Sequence, residues 1–432
     1  MMDQLDRFFG LSAQGTSVRR ELIAGLTTFL AMAYITVVNP SILSEAGMDF
    51  GAVFVATCLA AALGTLVMGL YANYPVGQAP GMGQNAFFTY GIVLGLGVAW
   101  QTALGAVFIS GVIFMGLSIL PVREWLINAI PRSLKLGISA GIGLFLGIIA
   151  LSRSGIIVAN PATLVSLGDL TRPEALLLFF GFTLIAALSA RKIMGAVVIG
   201  MLVVTVIGWI GNSAEFHGLV SRPPSMSTLL QLDISGAFNL GMVTVILTLL
   251  LVDVFDTAGT LVGVANRARM LDERGRLPRL RRALLADSGA TTVGALLGTS
   301  STTSFIESAA GVEAGGRTGL TAVTTALLFL LCLFAAPLAQ SVPAFATGAA
   351  LLFVACIMAR ALEHLAWNDI TESAPAIVTA LAIPLTYSVA NGIGLGFITY
   401  AAIKVLSGRP GECPAAVYAV ALVFMLKFGL LG

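Results

Sequence analysis

The 432-residue sequence is poor in charge, with Asp, Glu, Lys and Arg making up 10% of it against about 25% in an ordinary soluble domain. Too few charged side chains remain to solvate a folded surface in water. A soluble enzyme, a nucleic-acid binder and a disordered scaffold are therefore excluded. Histidine is nearly absent: His217 and His364 both stand beside expected loops, which argues against a His-based metal site or an intramembrane proton relay. Cys58, Cys332, Cys356 and Cys413 are scattered, without disulfide or metal spacing, and read as small core hydrophobes. The net charge of +2, from 23 Lys+Arg against 21 Asp+Glu, predicts no polyanionic partner. The opening MMDQLDRFFGLSAQGTSVRRELIAG has no apolar core of the kind a cleaved signal peptide carries.

What is abundant is apolar: 57% of residues are hydrophobic and the mean hydropathy is +0.96. A membrane helix needs roughly 20 apolar residues, so fourteen spans take about 300 and leave no room for a sizeable extramembrane domain. The fold class expected is an all-α polytopic membrane protein. Spans fall near 22–43, 51–71, 97–120, 133–151, 173–190, 194–211, 238–262, 283–298, 318–341, 344–362, 373–389, 390–406 and 413–431. Two further stretches, 75–92 and 299–316, sit at membrane depth but are too polar and Gly-rich for ordinary helices. The total lies between 13 and 15, and the division of 373–431 stays open.

Basic residues set the orientation. With the N-terminus cytoplasmic and the two irregular stretches counted as spans, seventeen Lys and Arg fall inside, among them Arg123 and the basic loop RARMLDERGRLPRLRR (267–282). Only Arg153, Arg172 and Arg222 fall outside, and Lys404, Arg409 and Lys427 stay unassigned. The basic loop reads as a topology determinant. Trp100, Trp125, Trp209 and Trp367 stand near span ends, as interfacial residues do. The protein is expected in the plasma (cytoplasmic) membrane.

Residues 64–90 and 294–320 form a faint repeat about half the chain apart: an apolar helix end, a polar stretch, then a Gly-rich run opening another apolar segment. Paired interrupted segments of this kind point to a transporter's binding site.

Ionisable groups at bilayer depth are costly and usually functional. Asp253 and Asp256 stand in FNLGMVTVILTLLLVDVFDTAGTLVG, where a three-residue spacing puts both on one helical face, with Thr257 and Thr260 a turn later. Glu307 lies among hydroxyl residues in GTSSTTSFIESAAGV, and Asn85 lies in APGMGQNAFF behind Gly81 and Gly83. Phe87, Phe88, Phe255 and Phe305 could stack on a flat ring, or simply face lipid. Asp287 and Glu313 read as structural or interfacial, and Asn39-Pro40 as a helix end. Of the acids, Asp253 is the better substrate contact. Asp256 borders Thr257-Ala258-Gly259, where the helix is expected to loosen, and reads as ordering the site. Carboxylates and an Asn suit a ligand rich in N–H donors, or a cation, better than an anion. A carboxylate in low dielectric can also take up and release a proton. No nucleophile–base pair, metal motif or phosphate loop appears, so no enzymatic activity, metal or cofactor is expected, with the proton as coupling ion.

APGMGQNAFF (79–88), VDVFDTAGTLVG (252–263), GTSSTTSFIESAAGVEAGGRTGLT (298–321) and RRELIAGLTTFLAMAYITVVNPSIL (19–43) resemble segments of AzgA-like purine permeases, within the xanthine/uracil permease (nucleobase–ascorbate transporter) superfamily. The resemblance spans nearly the whole chain. It implies 14 spans in two inverted seven-span repeats, with short extended stretches in spans 3 and 10. A core domain would cover about 20–120 and 238–341, and a gate domain about 121–237 and 342–432. It implies import of guanine, hypoxanthine or adenine by proton symport, through an elevator-like movement. Asp253 and Glu307 match the family's substrate-binding and proton-coupling acids, Asn85 and Gly83 its span-3 site, and Asp256 its second span-8 acid. Phe87, Thr257 and Phe305, read from their place beside these residues and not from the resemblance, complete the expected substrate set. A homodimer through the gate domain is also implied; lipid and the purine are the partners. A sulfate-type anion transporter of the same fold and a uracil or xanthine permease are the alternatives.

Overall fold

Ser17 and Asp49 mark where two membrane helices begin. Ser17 accepts a hydrogen bond from the Arg20 N–H and Asp49 from the Ala52 N–H, groups that a helix start otherwise leaves unpaired. The computed structural model describes residues 2–120, 130–268, 270 and 277–430. Arg123, Trp125, and residues 269 and 271–276 of the basic loop lie outside the described residues.

The first half runs through α1 (Val18–Met32), α2 (Ile35–Leu43), α3 (Phe50–Val67), α4 (Met82–Ala86), α5 (Trp100–Ile119), α6 (Arg132–Arg153), α7 (Pro173–Ala190) and α8 (Ala196–Ile210). The second half holds α9 (Leu240–Arg267), α10 (Leu280–Leu297), α11 (Ser308–Glu313), α12 (Gly319–Cys332) and α13 (Ala344–Ala359). It closes with α14 (Ile370–Leu385), α15 (Val389–Leu406) and α16 (Ala415–Leu430), the three helices into which 373–431 divides. Among the described residues nine helices are long and apolar enough to cross a bilayer. This is the expected polytopic helical fold.

Two regions depart from the sequence reading. Asn39-Pro40 does not end a helix but lies inside α2, which breaks from α1 earlier, at Ala33–Tyr34. The Asn39 side chain is drawn into tertiary bonds, donating to Thr57 Oγ1 (2.7 Å) and Thr299 Oγ1 (2.8 Å), and this overrides the local turn signal. The chain turns instead at Gly47, whose φ of 84° suits glycine. Cys356 is exposed on α13, while Cys58 and Cys413 are buried. An outward apolar side chain costs nothing against lipid, so hydrophobicity alone could not place it.

The helices pack in two groups. In one, α12 lies on α1 and α3, α10 on α3 and α5, and α9 on α5. Here a methyl group at Gly319 would sit 1.9 Å from the Gly69 carbonyl oxygen, so only glycine admits this approach. In the other group α6 lies between α13 and α14, α7 on α8 and α13, and α15 on α14 and α16. A small hairpin of strands Ile157–Asn160 and Leu164–Leu167 stands outside it.

The irregular stretches 75–92 and 299–316 meet, as the repeat predicts. The strand Gln78–Pro80 pairs antiparallel with Thr302–Ser304, with Gln78 opposite Ser304, Ala79 opposite Thr303 and Pro80 opposite Thr302. The first strand leads into α4, which continues as a wider helical segment over Phe87–Leu94, and the second leads into the short α11.

Candidate functional site

An extended backbone at membrane depth must find its hydrogen bonds inside the protein. Around the two-stranded ladder, the Gly81 N–H donates to Ser301 C=O (2.9 Å) and the Phe305 N–H to Gly77 C=O (3.0 Å). Hydroxyls complete the set: Gly77 N–H donates to Ser308 Oγ (2.9 Å) and Gln78 N–H to Thr65 Oγ1 (2.8 Å). With its backbone satisfied, the ladder becomes a fixed mount for side chains.

Against it lies α9. Asp253 is wholly buried; its Oδ1 accepts from Gln84 Nε2 (3.2 Å) and its Oδ2 from Thr291 Oγ1 (2.8 Å). Thr257 donates to Asp287 Oδ2 at 2.5 Å and lies 2.9 Å from Thr303 Oγ1. Asp287 also accepts from Gln78 Nε2 (3.0 Å) and Ser304 Oγ (2.6 Å), so this buried acid clamps α9, α10 and both strands together. Glu307 is half-buried, and Tyr34 at the α1–α2 break donates to its Oε1 at 2.6 Å. Asp256 is half-buried and makes no hydrogen bond or ion pair among the described residues. The expected loosening beside it is absent: α9 runs unbroken from Leu240 to Arg267, because its backbone is paired within the helix. Asp256 therefore does not cap freed N–H groups at Thr257–Gly259.

The remaining expected residues divide. Asn85 is buried and donates to Asn39 Oδ1 (3.0 Å), on the side that joins α2 and α3, while its neighbour Gln84 turns to Asp253. Successive helix positions point about 100° apart, so the two amides serve different neighbourhoods. At Gly83 a methyl group would meet Ile142 Cγ2 at 2.4 Å; the glycine lets α4 come close to α6. Phe87, Phe88, Phe255 and Phe305 are all buried rather than facing lipid. Glu313 pairs with Arg267 (2.8 Å) at the end of α9, away from the ladder.

Gln84, Gln78, Tyr34 and Thr291 were not singled out from the sequence. Gln84 carried a signal, standing next to Asn85 behind the two glycines. It is 1% exposed and its Oε1 has no hydrogen-bond partner, which leaves an acceptor beside the Asp253 carboxylate. Such a set can accept N–H groups from a flat ring and donate to its ring nitrogens.

Comparison with known proteins places the chain. It is 48% identical to the adenine permease AdeP of Escherichia coli, covering 98% of this chain and 95% of that protein. It is 46% identical to the guanine/hypoxanthine permease PbuG of Bacillus subtilis, with 98% of each covered. Among solved structures it is similar to the transmembrane domain of the cyanobacterial bicarbonate transporter BicA. There the TM-score is 0.65 at 15% identity, over 86% of this chain and 97% of that one, a likeness of fold alone. The model of the xanthine/uracil permease type, described as "Permease family", matches residues 19–395. The chain belongs to this permease family and is a membrane transport protein rather than an enzyme.

Proposed function

We propose that the protein imports purine nucleobases across the plasma membrane by proton symport. The observation that carries this reading is the Asp253–Gln84 pair, a carboxylate and an amide with a spare acceptor held against a rigid ladder. A purine edge alternates N–H donors and nitrogen or oxygen acceptors, and this pair offers the complementary groups. Similarity to adenine and guanine/hypoxanthine permeases over nearly the whole chain supports the same substrate class. The fold is shared with anion carriers, but buried Asp253 and Asp287 flanking the ladder oppose an anionic substrate.

In this reading Asp253 is the principal acceptor for the base, and Asp256 a second one a turn away. Glu307, half-buried and steadied by Tyr34, carries the coupled proton. Phe87 and Phe305 flank the ring, while Asn85, Gly83 and Thr257 fix the mount. The group around α1–α5 and α9–α12 acts as the moving core and the group around α6–α8 and α13–α16 as the gate. Accumulation of labelled adenine, guanine and hypoxanthine in a permease-deficient host tests the function. Uptake that is concentrative, abolished by a protonophore and competed by purines but not by sulfate is expected. Saturable sulfate uptake with no purine competition would overturn it.

A further inference from the structure

A cleft of about 510 Å³ opens where the N-terminal helix Met2–Phe9 meets the chain leaving α3 and the starts of α10 and α12. Arg7, Arg279 and Arg317 line it, with Asn73 and Phe8. Asn73 builds the cleft. Its backbone is left-handed (φ 54°), its Nδ2 donates to Phe9 C=O (2.9 Å), and its Oδ1 accepts from the Gly319 N–H (2.6 Å). Three segments distant in sequence are tied at one side chain.

The arginines are positioned by neutral groups. Arg317 Nη1 donates to the carbonyls of Val312 (2.6 Å) and Gly316 (2.7 Å). Arg279 lies over the Tyr74 ring, 5.8 Å from its centroid, and Nη2 is 3.4 Å from Asn73 C=O. None of these contacts cancels a charge. Among the described residues the nearby acids are already engaged. Asp6 accepts from the side chain and backbone of Ser12, both at 2.7 Å, which holds its carboxyl below the usual range. Glu21 accepts from backbone N–H groups at the start of α12, and Glu313 is paired with Arg267. Among the described residues no carboxylate lines the cleft.

Three like charges around one space repel, and an anion between them turns that repulsion into attraction. A guanidinium fork matches the oxygens of phosphate better than a spherical anion. Phe8 beside it is 61% exposed, an apolar side chain at the rim. We infer that this cleft binds a phosphate group, supplied either by the headgroup of an anionic lipid or by free phosphate.

The purified full-length protein in neutral detergent is titrated with phosphatidylglycerol, phosphatidylcholine or inorganic phosphate while Tm is followed. Wild type should gain Tm saturably with phosphatidylglycerol and not with phosphatidylcholine. Arg7→Gln and Arg279→Gln should keep the ligand-free Tm and each weaken the apparent affinity about tenfold, the worth of one charged hydrogen bond. Saturable stabilisation by inorganic phosphate as well identifies free phosphate as a source; its absence assigns the site to lipid. No saturable stabilisation by either ligand, or an undiminished response in both variants, overturns the inference.

Discussion

Glu45→Gln should loosen the protein on the side opposite its N-terminus. Glu45 follows α2, and its Oε1 lies 2.5 Å from Arg153 Nη2 at the end of α6. Among the described residues this is the one ion pair joining the two helix groups. The side chains are 20% exposed for Arg153 and 32% for Glu45, so the pair is neither fully wet nor dry. Exposed pairs contribute about 0.2–1 kcal/mol, whereas breaking a buried one costs about 3–5 kcal/mol. Arg153 Nη1 is already buried without a partner, which favours a value above the exposed range. Glutamine keeps an acceptor for the Tyr90 hydroxyl, now 2.8 Å from Glu45 Oε2, and removes only the charge. We expect about 1.5 kcal/mol, or roughly a tenfold rise in the open population. Beneath the pair, Phe145 packs edge-on between Tyr90 (6.3 Å) and Tyr387 (5.5 Å), so closure is weakened rather than lost. Spin labels at Ser44 and Ala159 report the separation by pulsed electron resonance. The longer-distance fraction should grow in Glu45→Gln and in Arg153→Gln, and the double variant should add little to either. Unchanged distance distributions in both single variants would refute the reasoning.

The other expectations concern the ladder and its supports. Glu307→Gln should retain purine binding but lose accumulation driven by the proton gradient; accumulation that still tracks the gradient would remove Glu307 as the coupling acid. Asp253→Asn should weaken equilibrium purine binding at least tenfold, by analogy with one lost charged hydrogen bond, and Asp256→Ala should weaken it less. The reverse order on purified variants would exchange their roles. Gln84→Leu, which removes the spare acceptor, should change the ratio of adenine to hypoxanthine affinity more than it changes Tm; an unchanged ratio counts against Gln84 as a contact. Glu21→Ala takes the acceptor from the backbone N–H groups of Arg317, Thr318 and Thr321 and from the Thr321 hydroxyl. Thermal unfolding should show a loss of about 3 kcal/mol, with substrate affinity intact in the folded fraction.

The acids were legible because a carboxylate in an apolar run has almost no other reason to be there. Asp253, Asp256 and Glu307 therefore announced themselves, as did the two Gly-rich interruptions that became the paired strands. Their partners did not. Tyr34 and Thr291 are ordinary residues for a membrane helix, and only the break at Ala33–Tyr34 and the register of α10 bring them to Glu307 and Asp253. Asn85 was legible as polar but not as turned toward Asn39, since one position along a helix changes the neighbourhood completely. Asp287 looked peripheral because LLADSG is only moderately apolar; its central place depends on α10 crossing both strands. Glu21 sat in a charged N-terminal run, where nothing distinguishes a solvated acid from one that seats the start of α12.

The strand pairing has a consequence for how the protein is made. Gln78 and Ser304, which bond across the ladder, are 226 residues apart in the chain. During synthesis the first strand reaches the membrane long before its complement exists. Thr65 of α3 already holds the Gln78 N–H, but the Gly77 and Gly81 N–H groups must wait, and lipid cannot satisfy them. A nascent chain halted before residue 302 should thus remain with the insertion machinery or be degraded, whereas one extended past α12 can be released. Separately expressed halves should rescue one another only when they meet inside the bilayer, each supplying the strand the other lacks. The ladder that mounts the proposed site would in this sense also be the protein's assembly checkpoint.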